Sequence, residues 1–199
     1  MKYRTIVADP PWPLRWGGGG AWRVNGRGER HHNHRFKKSL GYPTMSVEQI
    51  AALPVASLAD IDAHLFLWAP DRFILDGAAA DVARAWGFEP RRLFVWEKSG
   101  YGLGTFPRPQ HEAALVCRRG RPRFRVHNVG SVQRWKLVYE GGARKHSAKP
   151  EGFFDLIGRA CNGPHLELFA RTNRLGWDSW GDEALNHVNL SGVHHATSR

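Results

Sequence analysis

Short apolar runs recur along the chain, separated by polar segments rich in glycine and proline. Runs of five or six residues with β-branched and aromatic side chains are typical of buried strands. The first of them stops at Asp9-Pro10-Pro11, because two prolines cannot continue a hydrogen-bonded ladder. The pattern predicts five strands, at Arg4–Ala8, Ala63–Trp68, Arg92–Glu97, Glu112–Cys117 and Leu166–Ala170.

Helical patterns lie between these strands. Ser46 followed by Gln49 fits a capping box at the start of a helix. Glycine is expected to close the second helix and proline to open the third. The predicted helices run from Ser46 through Leu53, over Phe73–Trp86 and over Glu151–Cys161. Strands that alternate with helices indicate an α/β fold with a mostly parallel central sheet flanked by helices.

In such a sheet, polar residues that follow the strands meet at one edge, which is where ligands bind. Asp9 follows the first predicted strand, Glu97-Lys98 the third, and Arg171-Thr172-Asn173 the last. We therefore expect these residues, which are distant in sequence, to converge on one crevice.

Two segments lack any periodic apolar pattern. One runs from Pro13 to about Pro43 and contains four consecutive glycines, Gly17–Gly20, which we interpret as the hinge of a mobile lid. It also contains His31-His32-Asn33-His34, but no carboxylate or cysteine accompanies these histidines at ligand spacing, so no metal is expected. The other, Ser99–Pro109, is a second flexible loop.

The size and composition suit one domain: 199 residues, of which 42% are hydrophobic. No apolar run approaches the roughly 20 residues of a membrane span, and the apolar N-terminal stretch is too short for a signal peptide. The two cysteines, Cys117 and Cys161, do not form a disulfide framework, which favours a reducing compartment. We therefore expect no membrane association.

The net charge of +11 bears on binding partners. Residues 118–149 contain ten lysines and arginines against one acid, and residues 23–38 contain six against one. Such clustering favours a polyanion over a purely solubilising surface, because these side chains neutralise phosphates. The predicted nucleic-acid contacts are Arg23, Arg27, Arg30, His32, Lys37, Lys98, His111, Arg118, Arg119, Arg121 and Arg123.

Asp9-Pro10-Pro11-Trp12 is the tetrapeptide with the clearest chemistry. The Asp9 carboxylate and the Pro10 carbonyl are two acceptors of fixed direction, and the Trp12 indole is a surface on which a planar base stacks. Acceptors for both N–H groups of a purine amine free its lone pair for attack on a methyl donor, so positioning supplies most of the catalysis. The alternative is an ordinary strand end, with Trp12 covering the edge of the core.

The chain resembles the MT-A70 family of adenine-N6 methyltransferases. The resemblance rests on an ordered series of motifs over nearly the whole chain: Ile6-Val7-Ala8-Asp9-Pro10-Pro11-Trp12, Leu65-Phe66-Leu67-Trp68, Trp86-Gly87-Phe88, Val95-Trp96-Glu97-Lys98, His111-Glu112, Lys145-His146-Ser147-Ala148-Lys149-Pro150-Glu151, Leu166-Glu167-Leu168-Phe169-Ala170-Arg171 and Gly176-Trp177-Asp178-Ser179-Trp180-Gly181.

The resemblance implies a single Rossmann-like methyltransferase domain at residues 1–185, with a flexible tail at 186–199. It implies S-adenosyl-L-methionine as cofactor, with a cation at Lys149 for the methionine carboxylate and polar groups near the ribose and methionine moieties. The residues carried over are catalytic Asp9, Pro10, Pro11 and Trp12, and cofactor-binding Asp9, Lys149, Glu167, Arg171, Asn173, Asp182 and Glu183. Structural alternatives stay open: an ion pair for Glu167 with Arg171, and a solvated helix start for Asp182 and Glu183.

The expected reaction is methyl transfer to the N6 amine of adenine in DNA, with a short or relaxed target motif and tolerance for single strands. RNA is the alternative substrate. A different class is an inactive relative that only binds nucleic acid or scaffolds a partner. The resemblance favours a bacterial or phage-encoded cytoplasmic enzyme, either a monomer or part of a homo- or heterodimer.

Overall fold

A mixed sheet organises the computed structural model, which describes residues 1–14, 43–101, 106–135 and 148–190. The backbones of four short strands outside these ranges are also described. The sheet contains β1 (Tyr3–Ala8), β4 (Ala59–Ala69), β5 (Glu89–Glu97), β6 (His111–Arg119), β7 (Val132–Arg134), β10 (His165–Leu168) and β11 (Trp177–Trp180). The short strands form two separate pairs, β2 (Trp22–Val24) with β3 (Arg30–His32) and β8 (Tyr139–Glu140) with β9 (Ala143–Arg144).

The strand order is β11-β10-β1-β4-β6-β5-β7, and six of these seven strands point the same way. Only β6 is reversed, pairing antiparallel with both β4 and β5. The carboxyl ends of the other six strands define what we call the carboxyl edge of the sheet, and the opposite side is the amino edge. Because β6 is reversed, it begins at the carboxyl edge and ends at the amino edge.

Five helices flank the sheet within the described ranges: α1 (Val47–Ala51), α2 (Val55–Leu58), α3 (Asp71–Leu75), α4 (Ala78–Ala85) and α5 (Glu151–Ala160). The predicted capping box is present, since the Ser46 hydroxyl accepts from the Gln49 backbone and the Gln49 side chain accepts from the Ser46 N–H. Pro150 caps α5 with extended backbone, as a residue before a helix should.

The α/β prediction and the mostly parallel sheet are confirmed, and all five predicted strands are present. The single helix predicted over Phe73–Trp86 is wrong: it is broken into α3 and α4 at Gly77, whose φ of 86° is outside helical geometry. Gly87 closes α4 with a φ of 81°, as expected. The short strands β7 and β11 were missed because their few residues are largely polar and carry no apolar run.

The core lies on both faces of the sheet, as the alternation along β1 requires. Ile6 and Ala8 pack on the side of α1 and α4, while Val7 faces the aromatic cluster against α5. That cluster centres on Phe153, whose ring makes edge contacts with those of Trp68 and Phe94. In the described part of the chain, no helix combines the length and apolarity that a membrane crossing needs.

The C-terminal segment stays against the domain as far as it is described. Leu190 is buried, and the His187 N–H donates to the Ser179 carbonyl at 2.8 Å. Residues 191–199 lie outside the described part, so the boundary at residue 185 stays a prediction.

Gly181 provides a test of backbone packing beside the end of β11. A Cβ added there would meet the Ala170 carbonyl oxygen at 2.1 Å and its nitrogen at 2.5 Å. Because backbone cannot move aside cheaply, we expect Gly181→Ala to lower the free energy of unfolding by about 3 kcal/mol in urea titrations. The control is Gly158→Ala in α5, where nothing lies within 4 Å and a gain of about 0.5–1 kcal/mol is expected. Equal stabilities for the two variants would contradict this packing.

Candidate active site

Four side chains of alternating charge lie along the carboxyl edge, in the order Lys98, Glu112, Lys149 and Asp9. We call this set the charge row. The Lys149 ammonium lies 2.5 Å from an Asp9 carboxylate oxygen and 3.3 Å from a Glu112 oxygen. Lys98 donates to the other Glu112 oxygen. The Lys149 side chain is only 8% exposed, so the contacts that hold it are largely shielded from water.

Three elements bring this row together. Asp9 directly follows β1, and its N–H donates to the Leu168 carbonyl of the neighbouring strand β10. Glu112 is the second residue of the reversed strand β6, which starts at the same edge. Lys149 directly precedes the Pro150 cap of α5. A strand end, a strand start and a helix start thus meet because one strand of the sheet runs backwards.

The electrostatics of the row are set by burial and by the alternation of charge. Burial raises the pKa of Asp9, and the nearby Lys149 offsets this only in part. Burial alone would lower the pKa of Lys149, but the carboxylates of Asp9 and Glu112 outweigh it and raise that pKa. Burial likewise opposes the charge of Glu112, yet Lys149 and Lys98 hold its pKa below the usual value. The charged state of each group in the charge row therefore depends on the charges of its neighbours.

Backbone hydrogen bonds hold the turn after Asp9. The backbone N–H of Trp12 donates to the Pro10 carbonyl at 2.9 Å, and the backbone N–H of Met45 donates to the Pro11 carbonyl at 2.9 Å. The Pro10 oxygen has a second lone pair, so it keeps acceptor capacity for a ligand.

Trp12 lies in the core and not in the cleft. Its indole is 3% exposed, its Nε1–H donates to the Trp68 carbonyl at 2.8 Å, and its ring stacks on Phe73 with 4.9 Å between centroids. This placement matches the alternative in which Trp12 covers the edge of the core. The indole anchors the Pro-Pro turn to strand β4, while its role as a stacking surface for a base stays a prediction.

An open cleft of about 80 Å³ lies beside Asp9. Lys149, Glu167 and Arg171 line it together with Asp9. Their predicted roles in cofactor binding stay predictions. Trp68 also lines it: the Lys149 ammonium lies 5.2 Å from the Trp68 ring centroid, a cation–π distance. The buried Trp68 Nε1–H has no hydrogen-bond partner within the described structure.

Glu167, on β10, is a second carboxyl group in the cleft whose pKa is raised. Burial raises its pKa to about 7, and the charges of Asp9 and Glu151 add to that, although Arg174 lowers it. Arg174 donates to Glu167 at 2.9 Å, also pairs with Glu151, and lies 3.7 Å over the Phe154 ring. The ion-pair partner of Glu167 is thus Arg174, where the sequence had suggested Arg171 as the structural alternative. Arg171 lines the cleft separately.

Three predicted cofactor residues lie apart from this cleft. The Asn173 amide donates to the Ser179 hydroxyl at 2.7 Å and to the Leu185 carbonyl at 3.1 Å, so it fastens the C-terminal segment to β11. Asp182 and Glu183 follow β11 and are exposed. Their roles toward a cofactor stay predictions.

The predicted nucleic-acid contacts divide between the two edges. Lys98 and His111 lie at the carboxyl edge, where the His111 ring is 2.9 Å from an Asp71 oxygen. Four others, Arg118, Arg119, Arg121 and Arg123, lie at the amino edge. The remaining five lie outside the residues whose side chains the structure describes: Arg23, Arg27, Arg30, His32 and Lys37.

Sequence reasoning missed several residues that shape the site. Glu112 was quoted only as part of a motif, although its position at the start of a predicted strand, next to His111, could have identified it as a site residue. Arg174 lay within the polar turn after the last predicted strand, but nothing in its spacing indicates a pairing with Glu167. In the described part of the chain, no cluster of histidine, cysteine and acidic residues is suited to a metal ion. The side chains of the histidines at 31, 32 and 34, and the glycines at 17–20, lie outside what the structure describes.

The described structure combines a Rossmann-like, mostly parallel sheet with a cleft at the carboxyl edge and an Asp-Pro-Pro-Trp turn after the first strand. The MT-A70 family model matches residues 3–183. The chain therefore belongs to the MT-A70 family, and the predicted family and enzyme class are confirmed.

Relatives of this chain are named as methyltransferases. It is 31% identical to the type II methyltransferase M.MunI of a Mycoplasma species, over 92% of this chain and 78% of that protein. It is 30% identical to the N6-methyladenosine RNA methyltransferase MTA1 of Cryphonectria parasitica, over 92% of this chain and 52% of the relative. It is 28% identical to the human N(6)-adenine-specific methyltransferase METTL4, over 93% of this chain but only 39% of that protein.

The charge row makes a pH-dependent prediction. In Lys149→Met, the Asp9 and Glu112 carboxylates lose a shared buried cation, so the pKa of Asp9 rises further above its usual value and the pKa of Glu112 loses a cause that holds it below its own. The raised pKa of Asp9 in the folded variant leaves stability present at low pH, where the carboxyl is protonated, and removes it as the pH rises. We expect the variant to be less stable than the unmodified chain by about 3–5 kcal/mol at pH 8 and by clearly less at pH 5, measured by urea unfolding.

Arg84→Met is the matched control. Arg84 pairs with Asp81 at 2.8 Å, but both side chains are more than half exposed, so a loss of no more than about 0.5 kcal/mol is expected at either pH. A Lys149→Met deficit that did not change between pH 5 and pH 8 would show that the carboxylates do not depend on this lysine.

Proposed function

We propose that this chain transfers a methyl group from S-adenosyl-L-methionine to the N6 amine of adenine in DNA. The observation that supports this most directly is the Asp9 carboxylate, held by Lys149 at the mouth of a cleft at the carboxyl edge. The carboxylate is followed by a turn whose backbone hydrogen bonds fix the Pro10 carbonyl beside it.

The residues in the cleft suit the amino-acid end of this cofactor. Asp9 and Glu167 supply negative charge for an ammonium or sulfonium group, and Arg171 supplies positive charge for a carboxylate. The described residues line a cleft volume of about 80 Å³, which is smaller than the about 300–1,000 Å³ that is typical of pockets for drug-sized ligands. We assign this cleft to the methionine end and Asn173, Asp182 and Glu183 to the nucleoside end. When bound, the cofactor supplies an electrophilic methyl group on a cationic sulfur.

Asp9 and the Pro10 carbonyl act on the target amine. Accepting its two N–H groups withdraws the nitrogen lone pair from conjugation with the purine ring and directs it at the methyl carbon. The N–C bond forms as the carbon–sulfur bond breaks, and the surplus N6 proton then leaves to Asp9 or water. Lys149 acts through Asp9: it favours the ionised carboxylate and fixes its direction.

We propose DNA as the substrate, with a short or relaxed target motif and tolerance for single strands, because flipping a base from a duplex costs a few kcal/mol. RNA is the second candidate, favoured by the similarity to a relative named as an RNA methyltransferase. The intact Asp-Pro-Pro-Trp turn and its ion pair argue against an inactive scaffold. We further propose a cytoplasmic enzyme that works as a monomer or dimer.

Transfer of a labelled methyl group tests the proposal. The purified chain is incubated with tritiated cofactor and adenine-containing oligomers of DNA and RNA, single- and double-stranded, and modified adenine is identified by mass spectrometry. N6-methyladenine in DNA at the highest kcat/KM is the expected result. Preferential modification of RNA would favour the second candidate, and no incorporation together with no cofactor binding would favour the scaffold.

Asp9→Asn tests the role of the carboxylate at almost unchanged volume. The amide offers only one acceptor oxygen and adds donors that oppose the amine, so we expect kcat to fall by about a thousandfold or more. Urea unfolding should show that the fold persists. The charge-matched control is Asp81→Asn on the exposed face of α4, which should retain normal turnover. Near-normal turnover in Asp9→Asn would remove Asp9 from the chemistry.

Glu167 gives a proton-linked prediction for cofactor binding. Its pKa of about 7 lies close to neutrality, and a cationic ligand beside it favours the ionised carboxylate and lowers that pKa. Cofactor binding at pH 7 should therefore release about half a proton, and affinity should rise with pH until it levels off above about pH 8. Calorimetry in buffers of different ionisation enthalpy measures this release, which should vanish in Glu167→Gln. Equal release in both forms would place the cation elsewhere.

A further inference from the structure

A second cavity, of about 240 Å³, lies at the amino edge, far from the charge row. Arg4, Arg121 and Arg123 line it together with His64 and Asn162, and we call these five residues the amino-edge basic surface. Asp62 also lines the cavity, but one of its carboxylate oxygens accepts the Arg121 backbone N–H at 2.6 Å.

The segment that carries this surface is fastened on both sides. Gly120, with a φ of 63°, lies so close to β4 that an added Cβ would meet the Ile61 carbonyl oxygen at 2.3 Å. Phe124 stacks on the buried His64 ring with 4.0 Å between centroids. The backbone N–H of Arg125 donates to the carbonyl of Ala160, at the end of α5, at 2.8 Å. The backbone that carries the arginines at 121 and 123 is therefore held in place by contacts with β4 and α5.

These two arginines differ from others on the surface. Arg84, Arg91 and Arg134 each form an ion pair with a carboxylate at 2.8 Å. Arg121 and Arg123 are exposed, and within the described part of the chain neither guanidinium has an acceptor. Arg121 and Arg123 outnumber Asp62, the one carboxylate that lines the cavity, so an anion with several acceptor oxygens is attracted there, and guanidinium matches phosphate geometry.

The distance of these two arginines from the charge row indicates which kind of anion could bind at both places. Strand β6 begins beside Glu112 and ends at Arg119, and seven steps of about 3.4 Å give a separation of about 24 Å. No single nucleotide reaches from the charge row to the amino edge. In a duplex, where one turn of about 10 base pairs spans about 34 Å, this separation corresponds to about seven base pairs.

We propose that the amino-edge basic surface is a second binding site for the phosphodiester backbone of the nucleic acid whose adenine reacts at the carboxyl edge. This proposal rests on the proposed function. It predicts that affinity depends on substrate length: a strand too short to span both edges gains nothing from Arg121 and Arg123, whereas a long strand binds both sites at once.

The test compares the unmodified chain with the double variant Arg121→Gln/Arg123→Gln on two single-stranded DNAs of 6 and 30 nucleotides, each with a central adenine. Binding is measured by fluorescence anisotropy over a range of salt concentrations. We expect the double variant to bind the 30-mer about tenfold more weakly and the 6-mer with less than about a twofold change. The salt slope for the 30-mer should fall by about 1.4, corresponding to two lost phosphate contacts.

The charge-matched control is Arg84→Gln/Arg91→Gln, which removes two arginines that already pair with carboxylates and should leave both affinities unchanged. Urea unfolding establishes that both double variants are folded. Equal losses on the two oligomers, unchanged binding of the 30-mer, or no binding of the 30-mer by the unmodified chain would each overturn the proposal. Because anisotropy does not require turnover, a chain that binds in this length-dependent way but transfers no methyl group contradicts only the proposed function.

Discussion

The buried ammonium of Lys149, shared between Asp9 and Glu112, is the interaction on which the site depends. Without it, two carboxylates would lie close together in a partly desolvated edge of the sheet, where both could not stay ionised. With it, the ionised form of Asp9 is favoured and the carboxylate has a fixed direction. Catalysis by positioning requires a group that does not reorganise during the reaction, and under the proposed function this ion pair provides one.

The same arrangement explains the chain order of the site. The Asp9 carboxylate follows the first strand, its cation comes from the residue before α5, and the second carboxylate comes from a strand between them in sequence. No local segment contains the site. Only the sheet, with six strands aligned and one reversed, brings these residues to one edge, so the stability of the fold and the geometry of the chemistry are coupled.

Much of this could be predicted from the sequence. Apolar runs and capping signals indicated the strands and most helices, and the position of Asp9 after a strand indicated its edge. The pairing of Glu167 with Arg174 could not be predicted, because an ion pair between neighbouring elements leaves no periodic signal. The burial of Trp12 was also hidden, since an indole after a Pro-Pro turn serves equally well as a wall or as an anchor. The break at Gly77 required a backbone angle that composition alone does not reveal.

The reversal of β6 has a consequence for how such a domain can change over evolution. A single strand joins a balanced set of charges at one end to an excess of cations at the other. Under the proposed function, substitutions that change how tightly the nucleic acid is bound at the amino edge need not disturb the electrostatic neutrality around the reacting nitrogen. Binding strength and reactivity are then separated by the length of one strand, and selection can adjust either one without changing the other.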